Sequence, residues 1–205
     1  MRTDEPLPLR IEVRGGREII RQGDAVSGAW LVASGALLME ALDPEGRRLG
    51  LDVLGPGDLV GGVPGGEADA TVRALTTSSL VPAGPAELRE GLARRARRAS
   101  WLACSLAWHR IAERLALRME DLAARFGRPV PGGVDLRLRL RQEDLASLTG
   151  ATRESVNRAL AELATTGRVR GSRGGYVLRP PPEGGVTPHP GASPGSTSRR
   201  TGTDR

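Results

Sequence analysis

Glycine, proline and aspartate interrupt the chain every few residues up to Pro85, and then the interruptions nearly stop as far as Phe126. Between Ile11 and Leu80 the apolar runs are short, as in WLVASGALLMEALDPEGRRLGLDVLGPGDLVGG, and read as strands joined by tight turns. Asp43-Pro44-Glu45-Gly46 is a strong turn signal, because Pro presets φ and Gly tolerates positive φ. An antiparallel roll or barrel of short strands fits this region. From Ala86 to Phe126 there is no Pro and only Gly91 against a helix, so one long helix or two consecutive helices are expected. Trp101, Cys104, Trp108, Ile111, Leu115, Met119, Leu122 and Phe126 recur there at three- and four-residue steps. That stripe packs either within the chain or against the same helix of a second copy.

Charge divides along the same line. Acidic residues outnumber arginines before Pro85 and arginines outnumber acids after it, within a net charge of +6. A basic second half favours a polyanionic partner, since each neutralised phosphate releases counterions. All 30 basic side chains are arginine, which suits bidentate phosphate and guanine contacts and equally suits a high-GC genome. No run of ~18 apolar residues offers a membrane span, and MRTDEPLPLR lacks a signal-peptide core. A cytoplasmic protein with no membrane partner is expected. Cys104 is the lone cysteine, and His109 and His189 lie far apart, so neither a metal site nor a cofactor is expected. No Ser-His-Asp set, HExxH, P-loop or paired-carboxylate site is readable, which argues against an enzyme.

Residues 127–135, GRPVPGGVD, read as a loop, and the alternation in Leu136-Arg137-Leu138-Arg139-Leu140 as a half-buried strand. The segment QEDLASLTGATRESVNRALAELATTGRVRGSRGGYVL then reads as helix, turn, helix, hairpin. Leu145, Ala146 and Leu148 pack the first helix, with small Ala146 admitting a close neighbour; Gly150 sits where the chain turns at positive φ, and Thr152 suits the next N-cap. On the second helix Val156, Ala159, Leu160 and Leu163 form one arc, and Arg153, Glu154, Asn157 and Arg158 another. The polar arc carries side chains that read base edges: Arg on guanine, Glu on cytosine N4, Asn on adenine. A solvated helix face would also be polar, but the small residue, turn glycine and N-cap around it make DNA recognition the specific reading. Residues 168–178 form two short strands around a Gly-rich turn, a wing. Gln142, Thr152, Arg168, Arg170 and Arg173 are expected on phosphates. After Arg179 the composition is too poor in apolar residues to offset ordering entropy, so 180–205 should be disordered.

Over residues 10–179 the chain resembles the cyclic-AMP receptor protein and fumarate-nitrate regulator (Crp/Fnr) family. The marks are Glu18-Ile19-Ile20-Arg21-Gln22-Gly23-Asp24, Gly35, Gly55-Pro56-Gly57-Asp58 and, most specific, Thr152-Arg153-Glu154-Ser155-Val156-Asn157-Arg158. The resemblance implies an α+β chain. Residues 1–85 would form a β-roll, a jelly roll of the cyclic-nucleotide-binding kind. Residues 86–111 would form a dimerisation helix, 112–179 a winged helix-turn-helix, and 180–205 a tail. It makes Arg153, Glu154 and Arg158 the base readers of TGTGA-like half-sites on double-stranded DNA, bound by a homodimer. Leu92, Trp101, Leu102 and Trp108 are expected at the dimer seam, and RNA polymerase is a possible further partner. The effector pocket looks degenerate. Gly62 stands where the family has a ribose-binding Glu after the glycine at Gly61, and Ala68-Asp69 where it has an Arg-Ser or Arg-Thr pair, so cyclic-AMP binding is not expected. The alternative is a sensor of another, unknown small molecule in an altered pocket.

Overall fold

A computed structural model describes residues 10–172 and 175–179. Eight strands precede the first helix: β1 (Ile11–Val13), β2 (Glu18–Ile20), β3 (Ala29–Ser34), β4 (Leu37–Leu42), β5 (Arg48–Leu54), β6 (Leu59–Gly61), β7 (Thr71–Ala74) and β8 (Ser78–Pro82). They pair antiparallel in two four-stranded sheets, β1-β8-β3-β6 and β2-β7-β4-β5. The chain crosses repeatedly between the sheets, and this winding is a β-roll. Val32, Leu37, Leu54, Val60, Val72 and Leu80 close its interior. The expected turn at Asp43–Gly46 joins β4 to β5: the Gly46 N–H donates to the Asp43 carbonyl at 2.9 Å, and Gly46 has φ 81°. Gly35, between β3 and β4, has φ 90°, and a Cβ there would lie 2.6 Å from the Thr77 carbonyl oxygen, so only glycine fits.

The helical stretch is two helices, α1 (Pro85–Trp108) and α2 (Ile111–Phe126), broken where His109 and Arg110 turn extended. The Arg110 N–H donates to the Glu113 carboxylate at 3.0 Å, which starts α2 afresh. The break splits the apolar stripe. Leu115, Met119 and Leu122 are fully buried within the chain, whereas Trp108 is 75% exposed.

Two expectations for the next segment are corrected. Residues 127–135 are not a loop but most of a hairpin, β9 (Gly127–Val130) and β10 (Gly133–Leu136), whose turn is made by Pro131-Gly132 with Gly132 at φ 81°. Conversely, residues 137–140 leave the ladder after Leu136. Leu136 and Leu138 are buried while Arg137 and Arg139 are exposed, so the alternation reflects burial without strand pairing. The Leu140 N–H turns back to the Leu138 carbonyl at 3.0 Å just before the next helix.

That helix is α3 (Gln142–Thr149), followed by α4 (Arg153–Thr165) and the wing strands β11 (Val169–Ser172) and β12 (Gly175–Leu178). The wing joins the β9/β10 hairpin in one sheet, ordered β11-β12-β10-β9. The expected tail, 180–205, lies outside the described residues. One apolar core gathers Leu115, Met119, Leu136, Leu145, Leu148, Val156 and Leu163, and continues into the β-roll through Ala36, Leu38 and Val53.

The helix-turn-helix is therefore docked on the β-roll, and buried charge reinforces the joint. Arg125 of α2 meets Asp52 at 3.1 Å, Asp58 at 2.7 Å and Asp121 at 3.3 Å, while Arg98 of α1 meets Asp52 at 2.6 Å and Asp58 at 3.0 Å. Burial alone would pull the Arg125 guanidinium down, but Asp52, Asp121 and Asp58 outweigh it and hold the group well above its ordinary value. Arg118 donates to the carbonyls of Leu148 (3.2 Å) and Leu51 (3.3 Å) and lies over the Trp101 ring at 4.7 Å. Arg73 of β7 reaches both Glu40, at 3.4 Å, and Asp144 of α3.

Candidate nucleic-acid interface

The turn between α3 and α4 has the local chemistry that its sequence demands. Gly150 caps α3 in the left-handed region at φ 58°, ψ 46°. Thr152 caps α4, its Oγ1 accepting the Ser155 N–H at 3.2 Å. Ala146 is buried, and the Ala151 N–H donates to its carbonyl at 3.0 Å, so the small side chain sits at the tightest part of the turn. Val156, Ala159 and Leu163 bury one side of α4, and Leu160 is half-buried beside them.

Arg153, Glu154, Asn157 and Arg158 are all exposed on the opposite side of α4. Arg153, Glu154 and Asn157 carry no side-chain hydrogen bond or ion pair among the described residues. Arg158 donates to Ser155 Oγ at 3.2 Å, and Thr152 Oγ1 lies 3.1 Å from the same oxygen. This hydroxyl link draws Thr152, Ser155 and Arg158 together at the start of the helix.

The residues expected on phosphates separate. Thr152 and Arg170 are exposed, whereas Gln142 is half-buried with its Oε1 buried and lacking a hydrogen-bond partner. Arg168 pairs with Glu120 of α2 and so braces the wing against the domain, a long-range ion pair that local sequence does not signal. Arg173 lies outside the described residues. Sequence reasoning missed Arg110. It stands exposed at the start of α2, and with Ser155, Arg158 and Glu162 it lines a shallow groove of about 390 Å³ beside α4. Its place at the start of α2 puts it on the same surface as the first turns of α4.

The four residues expected at a dimer seam also divide. Leu102, only 6% exposed, and Leu92 face inward and line a cavity in the β-roll, because α1 lies with that side on the sheets. Trp101 is half-buried under Arg118, and Trp108 projects. Gly61, Gly62, Ala68 and Asp69 all line the same cavity, of about 430 Å³. A Cβ on Gly62 would meet no atom within 4 Å.

Two family profiles match the chain in tandem, the cyclic nucleotide-binding domain over residues 10–95 and the Crp-like helix-turn-helix domain over residues 97–182. The "CRP-like cAMP-activated global transcriptional regulator" of Mycobacterium tuberculosis strain CDC 1551 is 30% identical over 172 residues, covering 76% of this chain and 77% of the relative. The chain belongs to the Crp/Fnr family. The regulatory protein CysR of Synechococcus elongatus is similar over 181 residues at 29% identity, covering 86% of both chains. Among solved structures, a CRP/FNR-family transcriptional regulator from Thermus thermophilus aligns with TM-score 0.70 and 26% identity, over 84% of this chain and 94% of that one. The fold is thus that of the family: a cyclic-nucleotide-binding β-roll, helices and a C-terminal helix-turn-helix. This Crp/Fnr chain is a transcriptional regulator with a DNA-binding domain, as its relatives are, and they are not enzymes. Among the described residues no helix is long and apolar enough to cross a membrane.

Proposed function

We propose that this regulator binds a palindromic DNA site as a homodimer, without cyclic AMP, placing α4 of each subunit in the major groove. The observation that carries the proposal is the two-sided character of α4. Val156, Ala159 and Leu163 seal one side into the core, and Arg153, Glu154, Asn157 and Arg158 project from the other. That quartet matches the donor and acceptor pattern of base edges in the major groove. A two-fold dimer sets two such helices about one helical turn, ~34 Å, apart. The projecting indole of Trp108 at the end of α1 supports self-association, since a large apolar side chain is costly to leave in water. At the positions where the family holds cyclic AMP, Gly62 and Ala68 offer no binding side chain and Asp69 is an anion, which supports independence from cyclic AMP even though Arg95 and Arg98 of α1 line the same cavity. Thr152 and Arg170 serve phosphates, positioning the helix without reading sequence. A cytoplasmic location, no enzymatic role and an accessory contact with RNA polymerase accord with a regulator of this kind.

Arg153→Ala tests the reading. In gel shifts on a symmetric TGTGA-type site, the substitution should cost ~1–3 kcal/mol and relax selectivity at the guanine it reads. Unchanged affinity and selectivity would remove Arg153 from the recognition set. The cavity favours a second reading, that the β-roll senses a small molecule other than cyclic AMP, because about 430 Å³ of lined space is ligand-sized.

A further inference from the structure

The wall of the β-roll cavity is mostly aliphatic, built from Ile20, Val26, Met39, Leu51, Val72 and Leu102. Asp52, Glu67, Asp69 and two arginines of α1 break it, and the arginines differ in their partners. Arg98 is taken up by Asp52 and Asp58, at 2.6 and 3.0 Å. Arg95 has no ion pair among the described residues. Its Nη2 donates to the carbonyls of Leu59, at 3.1 Å, and Gly61, at 3.0 Å, which leaves the Nε and Nη1 donors uncommitted. Burial pulls the Arg95 guanidinium below its ordinary value, and the charges of Asp69 and Asp52 offset this only in part. For Arg98 the same burial is outweighed, chiefly by Asp52, and the group is held above its ordinary value. Arg95 is thus a half-buried charge with no ion pair among the described residues, at the edge of a largely apolar, ligand-sized space.

We infer that this cavity takes an organic monoanion with an aliphatic body, a medium-chain carboxylate in type, its head on Arg95 and its chain along the aliphatic wall. The inference deepens the second reading above, and rests on it, by naming the class of molecule sensed. A carboxylate supplies the missing counter-charge through charge-assisted hydrogen bonds, and the chain buries its apolar surface against Ile20, Met39 and Leu102. A nucleotide fits this lining poorly. Its ribose hydroxyls and ring nitrogens would lose water against aliphatic groups and leave polar atoms unsatisfied.

Calorimetry on the full chain, with no DNA present, separates these chemistries using octanoate, octan-1-ol and cyclic AMP. Octanoate should bind saturably and about tenfold or more tighter than octan-1-ol, which shares its body without its charge, because hydrogen bonds to charged groups are worth that much. Arg95→Met should erase the difference, and Arg95→Lys should keep most of it. The octanoate–octanol comparison needs no variant, so it stands even if Arg95→Met fails to fold. Equal affinity for octanoate and octan-1-ol, no octanoate binding, or cyclic AMP binding tighter than octanoate would overturn the inference. Gel shifts with and without octanoate then address the sensor reading separately. Tight, Arg95-dependent octanoate binding that leaves operator affinity unchanged would uphold the ligand class and sink the sensor.

Discussion

Replacing Arg125 should unsettle the whole joint between the β-roll and the DNA-binding domain. Its side chain is 11% exposed and faces three carboxylates, Asp52, Asp58 and Asp121. Arg125→Met keeps most of the aliphatic stem but leaves Arg98 to compensate Asp52 and Asp58 unaided, and takes from Asp121 a partner one turn away in α2. The hydrogen bond to the Val53 carbonyl and the contact with the Phe126 ring, 5.1 Å from the guanidinium, are lost as well. Breaking a buried ion pair from one side costs about 3–5 kcal/mol, because the orphaned charge stays buried. For a chain of this size each kcal/mol shifts the melting temperature by about 2–4 °C, so a fall of about 6–20 °C is expected. Thermal unfolding followed by circular dichroism measures it. The double variant Arg125→Met with Asp121→Asn should recover part of the loss, since it lowers the excess of buried negative charge that the first substitution leaves. A fall under about 2 °C for the single variant, or no recovery in the double, would refute the assignment of the joint's stability to this network.

Gly50→Ala should destabilise the same joint by about 1–3 kcal/mol. The new Cβ would stand 2.9 Å from the Leu148 backbone, which a side-chain rotation cannot relieve; urea unfolding reads the loss, and an unchanged midpoint would deny the close approach of β5 and α3. Arg168→Ala and Arg170→Ala should separate structure from phosphate contact. The first breaks the ion pair to Glu120 and lowers the melting temperature. The second leaves stability alone, weakens binding to all DNA sequences alike and shallows the salt slope by about one. Gel shifts across salt concentrations would contradict this division if the two variants exchanged effects.

The DNA-binding turn was readable because its determinants are local. Gly150, Thr152 and the two faces of α4 each act within a few residues, and the side-chain period is enough to sort them. The strand-rich first half was readable from its turns, as at Asp43–Gly46. The β9/β10 hairpin was hidden because Gly and Pro mark a tight hairpin and an irregular loop alike. The Leu136–Leu140 alternation misled for the opposite reason, since burial at Leu136 and Leu138 repeats every second residue whether or not a neighbouring strand pairs. Periodicity places Leu92, Leu102 and Trp108 on α1 but not against a given partner, and only the packed β-roll turns the first two inward. Least legible was the docking of α3 on β5. It depends on Gly50 meeting Leu148, and Arg73 meeting Asp144, across long stretches of chain.

The joint beneath the DNA-binding domain also bears on how the chain can change over generations. Asp52, Asp58 and Asp121 balance Arg98 and Arg125, with Arg118 beside them tied to carbonyl oxygens and the Trp101 ring. Loss of any one acid or base leaves the others with an unbalanced charge in a dry place. Neutral drift at these positions must therefore proceed by paired exchanges, or through apolar replacement of both members at once. Positions scattered across β5, α1 and α2 are bound to a common fate that none of their immediate neighbours reveals.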